Sequence, residues 1–107
     1  MSTAEVESIE VDRDAYMTIV FADGVTVRYD VGELRLACPC ATCVGRRNAG
    51  QSVAPPVERG EAISITDAQL SGAFGINLDW SDGHRTGIYA WTYLRDAFDA
   101  GRLGQQI

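Results

Sequence analysis

All three cysteines of this 107-residue chain, Cys38, Cys40 and Cys43, lie within six consecutive positions. The proline between the first two favours a turn, because its ring fixes φ and it has no backbone N–H to satisfy. A turn is needed there, since residues i and i+2 of a straight strand point to opposite faces. The last two have the C-x-x-C spacing with which zinc-binding loops direct two sulfur atoms at one ion. The cluster therefore predicts a metal-binding loop.

The fourth ligand of this predicted site has one clear candidate. Three thiolates do not complete a tetrahedral site, and the single histidine, His84, follows a turn-like Ser-Asp-Gly run at 81–83. Our hypothesis is that one metal ion is held by four residues, Cys38, Cys40, Cys43 and His84. Sulfur and imidazole donors favour Zn²⁺, and a [2Fe–2S] cluster is the next candidate. The negative charge of such a site can be offset by nearby arginines, namely Arg35, Arg46, Arg47 and Arg85.

Three other interpretations of these residues stay open. Cysteine side chains can fill small apolar positions in a core. Cys40 and Cys43 can form a redox disulfide, although that motif usually precedes a helix in a βαβ unit, which this sequence does not suggest. A cysteine can also act as a nucleophile with His84 as its base. A single metal site accounts best for three cysteines clustered around a proline.

Composition limits the classes of function. The chain has a net charge of −6 and a pI near 4.5, which argues against nucleic-acid binding because that depends on Lys and Arg. No apolar run is long enough for a membrane span, and residues 1–10 lack the basic and apolar regions of a secretory signal. Clustered thiols suit a reducing compartment. We expect a cytoplasmic protein of one domain, residues 1–107, with no nucleic-acid or membrane partner.

The pattern predicts an α+β fold: a small antiparallel sheet of two hairpins, a C-terminal helix and a zinc-bound Cys-rich loop. Asp23-Gly24 predicts a two-residue type I′ turn, which pairs Val20 with Val27 and places Val20 on the core face. Met17 and the residues that alternate with Val20 then lie on the opposite face.

The rest of the chain gives weaker local signals. Strands are predicted over 62–66 and 74–80 from alternating apolar residues, and a helix over 89–99 from apolar residues at helical spacing. Residues 44–60 show no period and are expected to form a long irregular loop. The segments 1–8 and 102–107 are expected to be loose.

Two separated stretches together resemble a known family. The first is Leu34-Arg35 followed by Cys38-Pro39-Cys40-Ala41-Thr42-Cys43; the second is WSDGHRTGIYAW, from Trp80 to Trp91, followed by Tyr93-Leu94-Arg95. In this order they are similar to the gamma-butyrobetaine hydroxylase-like N-terminal domain, also called domain of unknown function 971. The resemblance covers roughly Ile9 to Asp99.

The resemblance carries functional implications. In the carnitine-synthesis hydroxylases with this domain, the matching three cysteines and one histidine bind a structural zinc ion, and a separate iron and 2-oxoglutarate oxygenase domain follows. We therefore expect a zinc-binding accessory or interaction domain without catalytic activity of its own, since an oxygenase facial triad needs two histidines. The expected partner is another protein, an oxygenase or a cluster-assembly protein, and a homodimer is left open. The same family domain occurs on P-loop ATPases that carry iron–sulfur clusters, so cluster binding is the alternative.

Overall fold

The computed structural model describes residues 5–85 and 87–107 and has an α+β fold, as the sequence predicted. The strands form two antiparallel sheets rather than one, with the orders β1-β2-β3-β7 and β4-β5-β6. The elements in chain order are β1 (Val6–Asp12), β2 (Tyr16–Phe21), β3 (Thr26–Asp30), α1 (Val31–Leu36), α2 (Ala41–Asn48), α3 (Pro55–Glu58), β4 (Ile65–Ser71), β5 (Gly75–Trp80), β6 (Gly87–Ala90), α4 (Trp91–Asp99) and β7 (Gln105–Gln106).

The first hairpin turns where it was predicted to turn, but its register differs by one residue. The Phe21 N–H donates to the Val25 carbonyl, so the loop has three residues and ends at Gly24, whose φ is 90°. This is the three-residue loop that needs a glycine in the left-handed region. Met17 therefore pairs with Tyr29.

A one-residue shift of register moves every side chain to the other face of a strand. Met17, Ile19 and Phe21 are accordingly fully buried, whereas Val20 is only half-buried. The predicted core face was therefore wrong for β2, whereas Val27 of β3 is fully buried, as expected. The true core face packs into a single buried cluster with residues of the second sheet and of α4, including Ile65, Leu78, Trp80 and Leu94.

The second sheet follows the predicted pattern more closely. Strand β5 buries Ile76, Leu78 and Trp80, as its alternation predicted, but Phe74 precedes the strand and is 60% exposed. Strand β4 begins at Ile65, three residues later than predicted. Tyr89 belongs to β6, so helix α4 begins at Trp91 instead of residue 89.

Residues 44–60 contain most of α2 and all of α3, which corrects the prediction of one irregular loop. Cys40 caps α2, because its sulfur accepts a hydrogen bond from the Cys43 N–H. Helix α3 has a proline at its first position, where the missing N–H costs nothing. Helices of eight and four residues are too short to produce a clear apolar period, so the sequence did not reveal them.

The described parts of the two segments expected to be loose are more ordered than predicted; residues 1–4 of the first segment lie outside the described residues. Residues 6–8 belong to β1, which pairs with β2. At the other end, Gly101 ends α4 with a φ of 74°, and the Arg102 N–H reaches back to the Ala97 carbonyl. This Schellman motif reverses the chain, so that Gln105 and Gln106 pair with β3.

A membrane-crossing helix is absent from residues 5–85 and 87–107, since none there combines the necessary length with an apolar sequence.

Candidate metal centre

The four predicted ligands come from two separate parts of the chain. Cys38 follows the end of α1, Cys40 caps α2, and Cys43 lies in the first turn of α2. His84 lies in the loop between β5 and β6. The three Sγ atoms and the nearest imidazole nitrogen all lie within 4.8 Å of one another.

The distances to the imidazole suit a single tetrahedral ion. With Zn–S bonds of about 2.3 Å and a Zn–N bond of about 2.0–2.1 Å, tetrahedral geometry separates sulfur from nitrogen by about 3.5–3.6 Å. The His84 Nε2 atom lies 3.6 Å from the Sγ atoms of both Cys40 and Cys43. It lies 3.1 Å from the Cys38 Sγ, which is closer than the tetrahedral value. One nitrogen thus faces all three sulfurs, as a shared ion requires.

Burial makes this cluster unfavourable for thiolates without a cation. Cys38 and Cys43 are almost fully buried, and Cys40 and His84 are half-buried. Burial raises the pKa of the Cys38 thiol to about 12, and the neighbouring sulfurs of Cys40 and Cys43 act in the same direction. A bound cation reverses this preference, since metal ions bind the deprotonated sulfur. The donor set therefore fits a cationic metal.

The start of α2 also supports sulfur in its charged form. The Cys43 N–H donates to the Cys40 Sγ over 3.4 Å. This amide is one of those that a helix leaves unpaired at its first turn. The sulfur takes the place of the oxygen that usually caps a helix, and the positive end of the helix dipole favours a thiolate there.

A buried arginine connects the two halves of the site. The Arg35 Nε donates to Asp82 Oδ2 over 2.9 Å, and its Nη1 donates to the Cys43 Sγ over 3.7 Å. The other carboxylate oxygen, Asp82 Oδ1, accepts the His84 N–H over 3.1 Å. Arg35 therefore links a cysteine of α2 to the turn that presents the histidine.

Arg35 stays charged although only 5% of its surface is exposed. Burial alone would lower its pKa, but the hydrogen bonds and charges of Asp82 and Cys43 outweigh burial and raise it. A buried guanidinium needs such partners, because an unpaired buried charge is strongly destabilising. Arg35 is one of the four arginines predicted to offset the site's charge, and it donates to the sulfur of Cys43, a predicted ligand.

Two tyrosines that the sequence analysis did not single out hold the end of α1 beside Cys38. The Tyr89 hydroxyl donates to the Leu34 carbonyl over 2.5 Å, and the Tyr93 hydroxyl donates to the Ala37 carbonyl over 2.6 Å. Both carbonyls belong to the last turn of a helix, where no intrahelical partner exists. The Tyr-x-x-x-Tyr spacing of residues 89 and 93, after His84, was the available signal.

Gly87 is a second feature that sequence reasoning missed. A Cβ atom at this position would lie 2.9 Å from the Cys38 Sγ and 3.2 Å from the ring of Tyr89. Real Cβ atoms do not approach a sulfur that closely, so any side chain would push Cys38 or Tyr89 away. Glycine is needed here because strand β6 passes directly beside the Cys38 sulfur.

Comparisons with known proteins identify the relatives of this fold. The family model described as "Gamma-butyrobetaine hydroxylase-like, N-terminal" matches residues 9–95. A crystal structure of a protein of unknown function from Acidithiobacillus ferrooxidans ATCC 23270, assigned to the DUF971 family, is 31% identical, with a TM-score of 0.67. The match covers 87% of this chain and 91% of that one.

A second similar structure, determined by NMR in solution, supports the fold alone, because its identity is 22%. Its TM-score is 0.62, and the match covers 90% of this chain and 70% of that one. No curated protein sequence matches the chain.

Proposed function

Because the chain belongs to the gamma-butyrobetaine hydroxylase-like N-terminal family, we propose that it is a zinc-binding accessory domain. In this proposal one structural Zn²⁺ is held by Cys38, Cys40, Cys43 and His84. The folded domain then acts as an interaction module that binds a partner protein. The observation that carries the proposal is the convergence of the four ligand atoms to within 4.8 Å across 41 to 46 residues of sequence.

The compact donor set favours one ion over an iron–sulfur cluster. A [2Fe–2S] cluster divides its four ligands between two iron atoms, so ligands on different irons lie farther apart than ligands around one ion. Two of the three sulfur-to-nitrogen distances equal the value for a single tetrahedral ion, and the third is shorter. Cluster binding remains the alternative, and elemental analysis of the purified protein distinguishes it from zinc binding.

The ligand number favours a structural role. Catalytic zinc sites keep one position open for water or substrate, whereas four protein ligands fill a tetrahedral site. An oxygenase facial triad needs two histidines and a carboxylate, and this sequence contains one histidine. In the proposed site that histidine is already a zinc ligand. The proposed contribution of the metal is to join the α1–α2 loop to the β5–β6 loop, so that metal binding adds to folding free energy.

The proposed partner follows from the family rather than from a contact in the structure. Domains of this kind accompany oxygenases, or ATPases that carry iron–sulfur clusters, so we propose a protein of one of these classes as the partner. A cytoplasmic location is proposed with it, because three clustered thiols persist best in a reducing compartment.

Elemental analysis of protein purified without added metal tests the zinc assignment. We expect one equivalent of zinc, no visible absorbance, and loss of the metal in His84→Ala. Arg85→Ala is the matched control, because Arg85 is the next residue and its side chain is 75% exposed. Iron with visible absorbance would support the cluster instead, and equal metal content in both variants would refute the ligand assignment.

A further inference from the structure

A cavity of about 520 Å³ lies between α1, α2, α4 and the chain segment after α4. Its apolar wall includes Leu36, Ala97 and Leu103, and two of these three residues are buried. Its cationic wall consists of Arg47 and Arg102. The volume and the mixture of apolar surface with a few polar groups are typical of a small-molecule site.

The two arginines keep donors available for a ligand. The Arg47 Nη1 donates to the Leu36 carbonyl over 2.9 Å, which uses one of the five guanidinium N–H groups and holds the side chain in place. Within residues 5–85 and 87–107, neither a hydrogen bond nor an ion pair is made by the Arg102 guanidinium. The chain has a net charge of −6, so two positively charged side chains on one cavity are a local exception to its excess of acidic residues.

Tyr93 lines the same cavity as both arginines. Burial raises the pKa of Tyr93, and the positive charges of Arg47 and Arg102 oppose this increase. The Tyr93 hydroxyl donates its proton to the Ala37 carbonyl. The hydroxyl therefore has no second proton to donate to an anion, which leaves the two arginines as the anion-binding donors.

The backbone holds this arrangement before any ligand arrives. The Schellman motif at the end of α4 brings Arg102 and Leu103 back over Ala97, since the N–H groups of both residues reach the Ala97 carbonyl. Tyr93 and Arg47 are fixed by their hydrogen bonds to the end of α1. A site formed in advance loses less entropy when it binds a ligand.

We propose that this cavity binds a small organic monocarboxylate with an apolar body. The carboxylate pairs with Arg47 and Arg102, because planar guanidinium groups match carboxylate geometry. The hydrocarbon part lies against Leu36, Ala97 and Leu103. Glu33 also lines the cavity and disfavours a second negative charge on the ligand, so a monoanion binds better than a dianion such as phosphate. The proposal does not depend on the identity of the metal.

Titration of ¹⁵N-labelled, metal-replete protein with hexanoate tests this site by NMR. We expect saturable shifts of the Leu36, Ala97 and Leu103 amides. Hexanamide, which has the same length without the charge, and inorganic phosphate should bind at least about tenfold more weakly, since neither combines one negative charge with an apolar body.

Two variants locate the binding to this cavity. Arg102→Gln should weaken hexanoate about tenfold, whereas Arg59→Gln should not, because Arg59 lies outside the cavity. Ala97→Leu should also weaken binding by filling the apolar wall. The proposal would be overturned if hexanamide bound as tightly as hexanoate or if Arg102→Gln left the hexanoate affinity unchanged. It would also be overturned if the NMR shifts spread over arginines elsewhere. Metal analysis of each variant separates loss of this cavity from loss of the metal centre.

Discussion

The Cys38 Sγ and the His84 Nε2 lie 3.1 Å apart although 46 positions separate them in the sequence. The chain between them forms α2, α3 and the β4–β5 hairpin before it returns to the cysteine loop. This contact, together with the Arg35–Asp82 and Tyr89–Leu34 hydrogen bonds, joins the helical half of the domain to its second sheet.

Metal removal should loosen the cysteine loop before it affects the first hairpin. Without a cation, buried thiols replace thiolates and lose their common partner, whereas β2 and β3 keep their own ladder and core contacts. We expect faster hydrogen exchange in α1 and α2 after chelation, with strands β2 and β3 changing less. Thiol labelling should likewise be slow in the native protein and rapid after chelation. Rapid labelling before chelation would favour a reactive cysteine instead.

Replacing Arg35 should weaken metal binding even though Arg35 is not a ligand. In Arg35→Lys the single ammonium cannot keep the fork that contacts Asp82 and Cys43 together. Loss of a hydrogen bond that orients a metal ligand typically lowers metal affinity about 10–100-fold. Competition with a chromophoric chelator measures this change. Arg85→Lys is the control, because that side chain is exposed. Equal affinities in the two variants would mean that Arg35 does not position the site.

Gly87→Ala should displace Cys38 and lower both stability and metal affinity. The new methyl group would lie 2.9 Å from the Cys38 Sγ. Overpacking of this kind costs about 1–3 kcal/mol of unfolding free energy, which denaturant titration measures.

Gly45→Ala is the matched control for this substitution. Gly45 lies in α2 with no atom within 4 Å of its added Cβ, so alanine there should stabilise the helix by about 0.5–1 kcal/mol. If Gly87→Ala retained the metal affinity of the unchanged protein, the close approach of β6 to Cys38 would be unimportant for the site.

The first hairpin illustrates where sequence reasoning was sufficient and where it was not. Asp23-Gly24 correctly located the turn, because few residues other than glycine tolerate a positive φ. The loop length was wrong by one residue, since the same dipeptide also suits a three-residue loop. Only the packing of Met17, Ile19 and Phe21 against the rest of the core distinguishes the two registers.

The sequence by itself determined the position of the first turn, the alternation of β5 and the family, because each depends on residue types at fixed short spacings. It also predicted the four candidate ligands. Tertiary structure decided that His84 faces the three sulfurs, that Arg35 and Asp82 join the two loops, and that Gly87 makes room for Cys38. These relationships connect residues 41 to 49 positions apart. No local pattern encodes such distances, since they arise only when the sheets and helices pack around one core.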